Sequence, residues 1–163
     1  MSDNLTWTFQ VDESPERAYH AINDVRGWWS GRITGPTDHL GAEFSYWVPG
    51  THYTKFRITE LVPGRKVTWP TLESWLAFPD DKEEWTGTTV TFDITEVNGR
   101  TQVRFTHEGL VPEVECYDVC EVAWGGYVIG SLHDLITTGT GQPNSIESTE
   151  ALEKVRAALP SRA

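Results

Sequence analysis

Cysteine is nearly missing from this chain: Cys116 and Cys120 are the only two among 163 residues. Two thiols cannot build the disulfide framework of a small secreted domain, and four residues apart on a helix they pair poorly with each other. No further Cys or His stands at ligand spacing beside them, so no structural zinc site is expected. Basic residues are also scarce, with 13 Lys and Arg against 24 Asp and Glu and a formal charge of −11. A surface this acidic repels phosphate backbones and anionic headgroups, so neither nucleic acid nor a membrane surface is an expected partner. The charges are scattered, so no acidic tail accounts for the balance. No apolar run approaches the roughly 20 residues needed to span a bilayer. The first ten residues are polar with alternating aromatics, unlike a signal peptide. Together these absences place the chain in the cytoplasm. A Gly-rich phosphate loop, a nucleophile elbow and paired metal-ligand motifs are missing as well, and no cofactor is expected.

What the chain has in abundance is tryptophan, eight in one domain-sized sequence. Such residues fill a core, line a ligand pocket or form an interface. Their placement depends on the elements that carry them. Leu5, Trp7, Phe9 and Val11 alternate with polar residues, which is the period of a half-buried strand. Ser14-Pro15-Glu16 is a helix start, with a hydroxyl cap and proline at the first helical position. That helix runs to about Ile22, and Val25, Trp28 and Trp29 suggest a second short turn.

Strands follow over 41–48, 52–61 and 66–69, separated by Pro49-Gly50 and Pro63-Gly64 turns. Thr88 to Val97 and Arg100 to His107 flank an Asn98-Gly99 hairpin signal. Between them, Pro70 to Thr86 is an apolar connection holding Trp75, Leu76, Phe78 and Trp85, either a long hairpin end or a flap. Beyond Pro112 the period changes. Tyr117, Cys120, Trp124, Tyr127, Val128, Ser131, Leu132, Leu135 and Ile136 recur at spacings of three and four, which predicts an amphipathic helix closed by Gly139. Thr140 to Ser148 reads as loose, and Glu150 to Leu159 as a last short helix ended by Pro160. The expected fold class is α+β: one curved antiparallel sheet wrapped around a long C-terminal helix, with two short helices after the first strand.

Four segments in this order resemble the SRPBCC superfamily, the START and birch-pollen-allergen group of helix-grip folds. They resemble in particular its branch related to the activator of the heat-shock protein 90 ATPase. These segments are Phe9 to Glu16, Glu60 to Trp69, Val103 to Leu110 and Trp124 to Gly139. The resemblance spans roughly residues 5–140 and implies a helix-grip domain over 1–140 with a tail over 141–163. It implies no shared reaction, because this fold serves lipid carriers, cyclases, hormone binders and cochaperones.

Trp28, Trp69, Phe92, Phe105, His107, Cys120, Trp124 and Tyr127 are the candidate ligand-binding residues, converging between sheet and helix. A concave apolar surface with a few polar anchors suits a small hydrophobic or aromatic ligand. The same rings can equally fill the space they enclose. His107 shares a face with Val103 and Phe105, as a general acid or base, a ligand anchor or a satisfied wall residue. Glu60 points inward on the parity of Phe56 and Ile58, unless a bulge turns it to solvent. His20, His39, His52 and His133 read as surface or mouth residues. Three functions follow: binding of a small apolar ligand, a cyclase or hydrolase using His107, or a cochaperone-like domain contacting a chaperone or a second copy through Trp75 to Phe78.

Overall fold

The computed structural model describes residues 4–50, 52–77 and 82–144. The predicted tail helix over 150–159, Phe78 and the first part of the charged loop at 80–84 lie outside the described residues. Strand β1 (Leu5–Val11) leads into helix α1 (Pro15–Asn23) and the single turn α2 (Val25–Trp28). Ser14 Oγ accepts from Arg17 N at 3.1 Å, the hydroxyl cap that the Ser-Pro pair predicts. The remaining strands are β2 (Ile33–Thr34), β3 (Glu43–Val48), β4 (His52–Arg57), β5 (Glu60–Val62), β6 (Lys66–Leu76), β7 (Thr89–Val97) and β8 (Arg100–Glu108). They pair antiparallel in the order β1-β8-β7-β6-β4-β3-β2, with β5 beside β6. This is the helix-grip architecture, with the sheet curved around the C-terminal helix.

Two strand boundaries differ from the sequence reading. The run from His52 to Leu61 is broken at Ile58 and Thr59, where Ile58 N bonds Ala42 O at 2.9 Å and Thr59 N bonds Thr68 O at 3.0 Å. That interruption resets the alternation, so Glu60 lies on the surface, accepting from Thr68 Oγ1 at 3.0 Å and meeting Lys66 Nζ at 3.8 Å. The apolar segment after Trp69 is the second half of β6. Pro70 sits where β6 changes partner, pairing with β7 up to Pro70 and with β4 from Thr71 onward. A proline lacks the N–H that a continuous ladder needs, so it fits the corner at which the sheet folds over.

The C-terminal helix is continuous from 117 to 138, but it is not uniform. A π-helical segment, Gly126–Leu132, joins α3 (Tyr117–Gly125) to α4 (His133–Thr138). Its buried residues Cys120, Trp124, Val128, Leu132 and Ile136 recur every four positions. In a 3.6-residue helix each such step overshoots a full turn by about 40°, so a strict repeat of four drifts off the buried face. The wider π turns keep that stripe on the sheet. Gly139, in the left-handed region at φ 84°, ends the helix.

Candidate ligand-binding site

The sheet and the closing helix enclose a continuous layer of aromatic rings. Trp28 stacks on Trp69 with centroids 6.4 Å apart, Trp69 meets Phe92 at 5.2 Å, and Phe92 meets Phe105 at 5.3 Å. Phe105 touches Trp124 at 4.7 Å, and Trp124 touches Trp29 at 4.9 Å. Alternation on β6, β7 and β8 turns Trp69, Phe92 and Phe105 inward, while α2 and the helix supply the Trp residues from above. All these rings are buried, and tilted or edge-on arrangements of this kind add to the area term.

His107 lies wholly buried at one end of this layer with both ring nitrogens engaged. Trp124 Nε1 can only donate, so Nδ1 accepts at 3.1 Å and the ring proton sits on Nε2. Nε2 donates to Thr88 Oγ1 at 2.8 Å. The Thr88 hydroxyl donates in turn to Trp85 O, and a second hydroxyl, on Thr71, stands 3.3 Å away. Burial, reinforced by nearby His52, pushes the His107 pKa down to about 3. The imidazole is therefore neutral and its one lone pair is occupied, so it has no free site at which to take a proton from a substrate. It works here as a clamp, fixing Trp124 on the helix to the β7–β8 ladder.

Trp69 is the opposite case. Its ring is fully buried at the centre of the layer, and its Nε1 has no hydrogen-bond partner among the described residues. The Trp85 Nε1 also lacks an oxygen or nitrogen acceptor among the described residues, but it faces the Cys116 sulfur. Cys116 and Cys120 are free and buried. A hydrogen bond that the Cys116 thiol donates to Cys120, together with burial, raises the Cys116 pKa, which makes it a poor nucleophile. Both oxygens of the Glu84 carboxylate accept from backbone N–H groups at the start of the helix, Glu115 N at 2.8 Å and Cys116 N at 3.0 Å.

The other end of the layer carries a polar rim. The Asn144 amide donates to Tyr46 Oη at 2.9 Å and to Tyr127 Oη at 2.7 Å, and its oxygen meets Ser30 Oγ. Burial raises both tyrosine pKa values, so both phenols stay protonated. The chain after the helix is held down as well. Asn144 N bonds Trp29 O at 2.9 Å, and Gln142 N bonds Ser131 Oγ at 2.6 Å. A Cβ on Gly141 would lie 2.4 Å from Gly27 O, so only glycine permits this approach. The looseness expected from Thr140 onward thus does not extend over 141–144. His52, read from sequence as a surface or mouth residue, is half-buried between the edges of Tyr46 at 4.9 Å and Trp85 at 4.8 Å. Its Nε2 meets Thr54 Oγ1 at 2.6 Å, and burial pushes its pKa down to about 3.

The family model described as "Activator of Hsp90 ATPase homolog 1-like protein" matches residues 12–137. The chain belongs to this family. Among solved structures, it is similar to the Aha1 dimer from Colwellia psychrerythraea, at 26% identity and a TM-score of 0.67, covering 85% of this chain and 98% of that one. It shares its fold with protein MLL2253 from Mesorhizobium loti, at 15% identity and a TM-score of 0.65, covering 85% and 99% of the two chains. It also shares it with DynU16, a protein of the dynemicin biosynthetic locus, at 14% identity and a TM-score of 0.62, covering 88% and 51%. No curated relative matches. Membership in the activator family supports a ligand-binding or cochaperone-like domain. No helix among the described residues is long and apolar enough to cross a membrane.

Within this family member, seven of the eight residues singled out from sequence belong to one buried side: Trp28, Trp69, Phe92, Phe105, His107, Cys120 and Trp124. Tyr127 is half-buried at the rim, its ring 6.4 Å from Trp29. Sequence reasoning missed Trp85, Tyr46, His52 and Asn144 as neighbours of that set. Tyr46 and Phe44 did carry the signal, alternating on one strand face. Asn144 carried none, because its position depends on the chain turning back at Gly139.

Proposed function

We propose that this domain binds a small, uncharged, apolar or aromatic molecule in the aromatic layer between sheet and closing helix. The observation that carries this reading is Trp69, a wholly buried indole whose N–H has no acceptor among the described residues. Buried donors are almost always paired, and an unpaired one costs about 1–3 kcal/mol. A ligand with one carbonyl or hydroxyl oxygen would satisfy it, while the surrounding rings Trp28, Phe44, Phe56 and Phe92 would take up the apolar remainder. The neutral state of His107, His52 and the tyrosines supports an uncharged ligand. Access would run past the Asn144 strap, whose bonds to Tyr46 and Tyr127 close the rim. The test is a titration with 1-naphthol followed by tryptophan fluorescence, alongside native mass spectrometry of freshly purified protein. Saturable one-to-one binding is expected; a linear response with a bare protein mass would sink the idea.

A second reading, self-association as a cochaperone-like domain, is favoured by a separate observation. Trp47, Tyr53 and Trp75 are register partners on β3, β4 and β6, forming an outward row. Trp47 is 58% and Trp75 39% exposed, unusually open for such large apolar side chains. The similar Colwellia protein is a dimer in solution. Light scattering of Trp47→Ala and Trp75→Ala against the parent chain tests this. A parent dimer that both variants shift toward monomer is the expected result. A monomeric parent at high concentration rules it out.

A further inference from the structure

The aromatic layer is covered differently at its two ends. At the His107 end the cover is Trp85, buried and stacked on Trp124 at 5.7 Å, so opening there would expose a large apolar area. At the other end the cover is the strap over 140–144, which begins where Gly139 turns the chain back in the left-handed region. None of residues 138–144 is fully buried. Polar contacts hold the strap, and most of them belong to one residue.

Asn144 straddles the segment from Trp29 to Gly31, forming a parallel bridge with Ser30. Its backbone N–H donates to Trp29 O at 2.9 Å, and its carbonyl accepts from Gly31 N at 3.3 Å. Its side-chain amide donates to Tyr46 Oη and Tyr127 Oη, and its side-chain oxygen meets Ser30 Oγ. The groups that lose these bonds on opening are hydroxyls, carbonyls and N–H groups, to which water bonds in exchange. Gln142 N adds a bond to Ser131 Oγ, which itself donates to Trp28 O at 2.8 Å. That second bond keeps the closing helix tied to α2 when the strap lifts. Beneath the strap Trp29 is 2% exposed, stacked on Tyr46 at 4.7 Å and 5.9 Å from Phe56, which meets Trp69 at 5.6 Å. A chain of ring contacts thus runs from the strap through Trp29 and Phe56 to Trp69.

We propose that the strap is a gate with Asn144 as its latch. Residues 140–144 lift as a unit when Asn144 releases Tyr46, Tyr127 and the Trp29–Gly31 backbone. Trp29 then turns aside, an apolar ligand enters, and the strap closes over it as it closes over the empty domain. This rests on the reading of the aromatic layer as a ligand site, and adds the step that sets the rates of entry and exit.

Two measurements test it, the first without ligand. In amide hydrogen exchange of the full ¹⁵N-labelled chain, Gly31, Gln142 and Asn144 should exchange together through a local opening that low urea does not change. Their rates should exceed those of the β7–β8 amides by at least about a hundredfold. Protection equal to that of β7–β8 would mean that the strap opens only when the domain unfolds, which overturns the proposal. The second measurement is stopped-flow tryptophan fluorescence with 1-naphthol. Asn144→Ala should raise the association and dissociation rate constants alike by about tenfold, the loss of two neutral hydrogen bonds, with Kd nearly unchanged. Ser30→Cys/Asn144→Cys puts two thiols across the bridged pair, within disulfide reach. Oxidised, this variant should take up naphthol at least about tenfold more slowly than after reduction. Rate constants unchanged in Asn144→Ala, or uptake unchanged in the oxidised form, place entry elsewhere and overturn the gate. A parent chain that binds no naphthol sinks the ligand reading instead, and the exchange result separates that failure from a strap that does not open.

Discussion

His107 and Trp69 lie in the same aromatic interior, yet the fold treats them in opposite ways. Around His107 every polar atom is spoken for: Trp124, Thr88, Thr71 and Trp85 form one closed chain of donors and acceptors. Trp69 packs against the rings of Trp28, Phe44, Phe56 and Phe92, and its N–H has no partner among the described residues. A satisfied buried network rigidifies its surroundings, whereas an unpaired group is a standing cost that folding alone does not explain. The difference separates the part of the interior that holds helix to sheet from the part that suits recognition. It also moves the chemical interest away from the histidine that sequence alone brings forward.

The sharpest way to break this comparison is His107→Ala. It leaves Trp124 N–H and Thr88 without their partner and opens a cavity, so a loss of about 3–5 kcal/mol is expected in urea unfolding. A loss below about 1 kcal/mol would show that the network holds nothing.

The next effect is a pH dependence. His107 has a folded pKa near 3 against an ordinary value of 6.5. Between these values the unfolded chain binds the extra proton. Stability is therefore full above pH 6.5 and falls as pH drops toward 3, by about 1.4 kcal/mol per unit from this residue. His52 adds in the same direction over the same window. Denaturation midpoints at pH 7, 6, 5 and 4 measure this, and a flat profile through pH 5 would contradict the burial of both rings.

Trp69→Phe sharpens the other side. An aromatic ring is kept while the indole N–H and part of the bicyclic area are removed, so its stability cost should be smaller than that of His107→Ala. Naphthol affinity should drop about threefold to tenfold, the value of one neutral hydrogen bond. Equal affinity in both proteins would separate Trp69 from recognition. The smallest effect belongs to Glu60→Gln, since the carboxylate lies outside on β5, bonded to Thr68 and 3.8 Å from Lys66. A change within about 0.5 kcal/mol, and none in ligand binding, is expected from calorimetry.

Much of the fold was legible because its signals are local. The Ser14-Pro15 start, the Asn98-Gly99 hairpin and the alternation of Val90, Phe92 and Ile94 each depend on neighbours within a few residues. The reading failed where a distant partner overrides the local pattern. The alternation that buries Phe56 and Ile58 stops after Ile58, where Ile58 bonds Ala42 and Thr59 bonds Thr68, and Pro70 is tolerated because β6 exchanges β7 for β4 at that point. The π segment stands between these cases. The fourfold spacing from Cys120 through Ile136 was visible, but its conflict with a 3.6-residue turn matters only once a sheet demands that one face stay buried.

By itself the sequence determined the family, the order of elements and which rings turn inward, because side-chain periodicity and turn chemistry act along the chain. Only the tertiary structure decided that His107 is a locked clamp, that Trp69 lacks an acceptor among the described residues, that Glu60 is outside and that Asn144 closes the rim. Each of those depends on which groups from remote segments arrive within about 3 Å, the reach of a hydrogen bond.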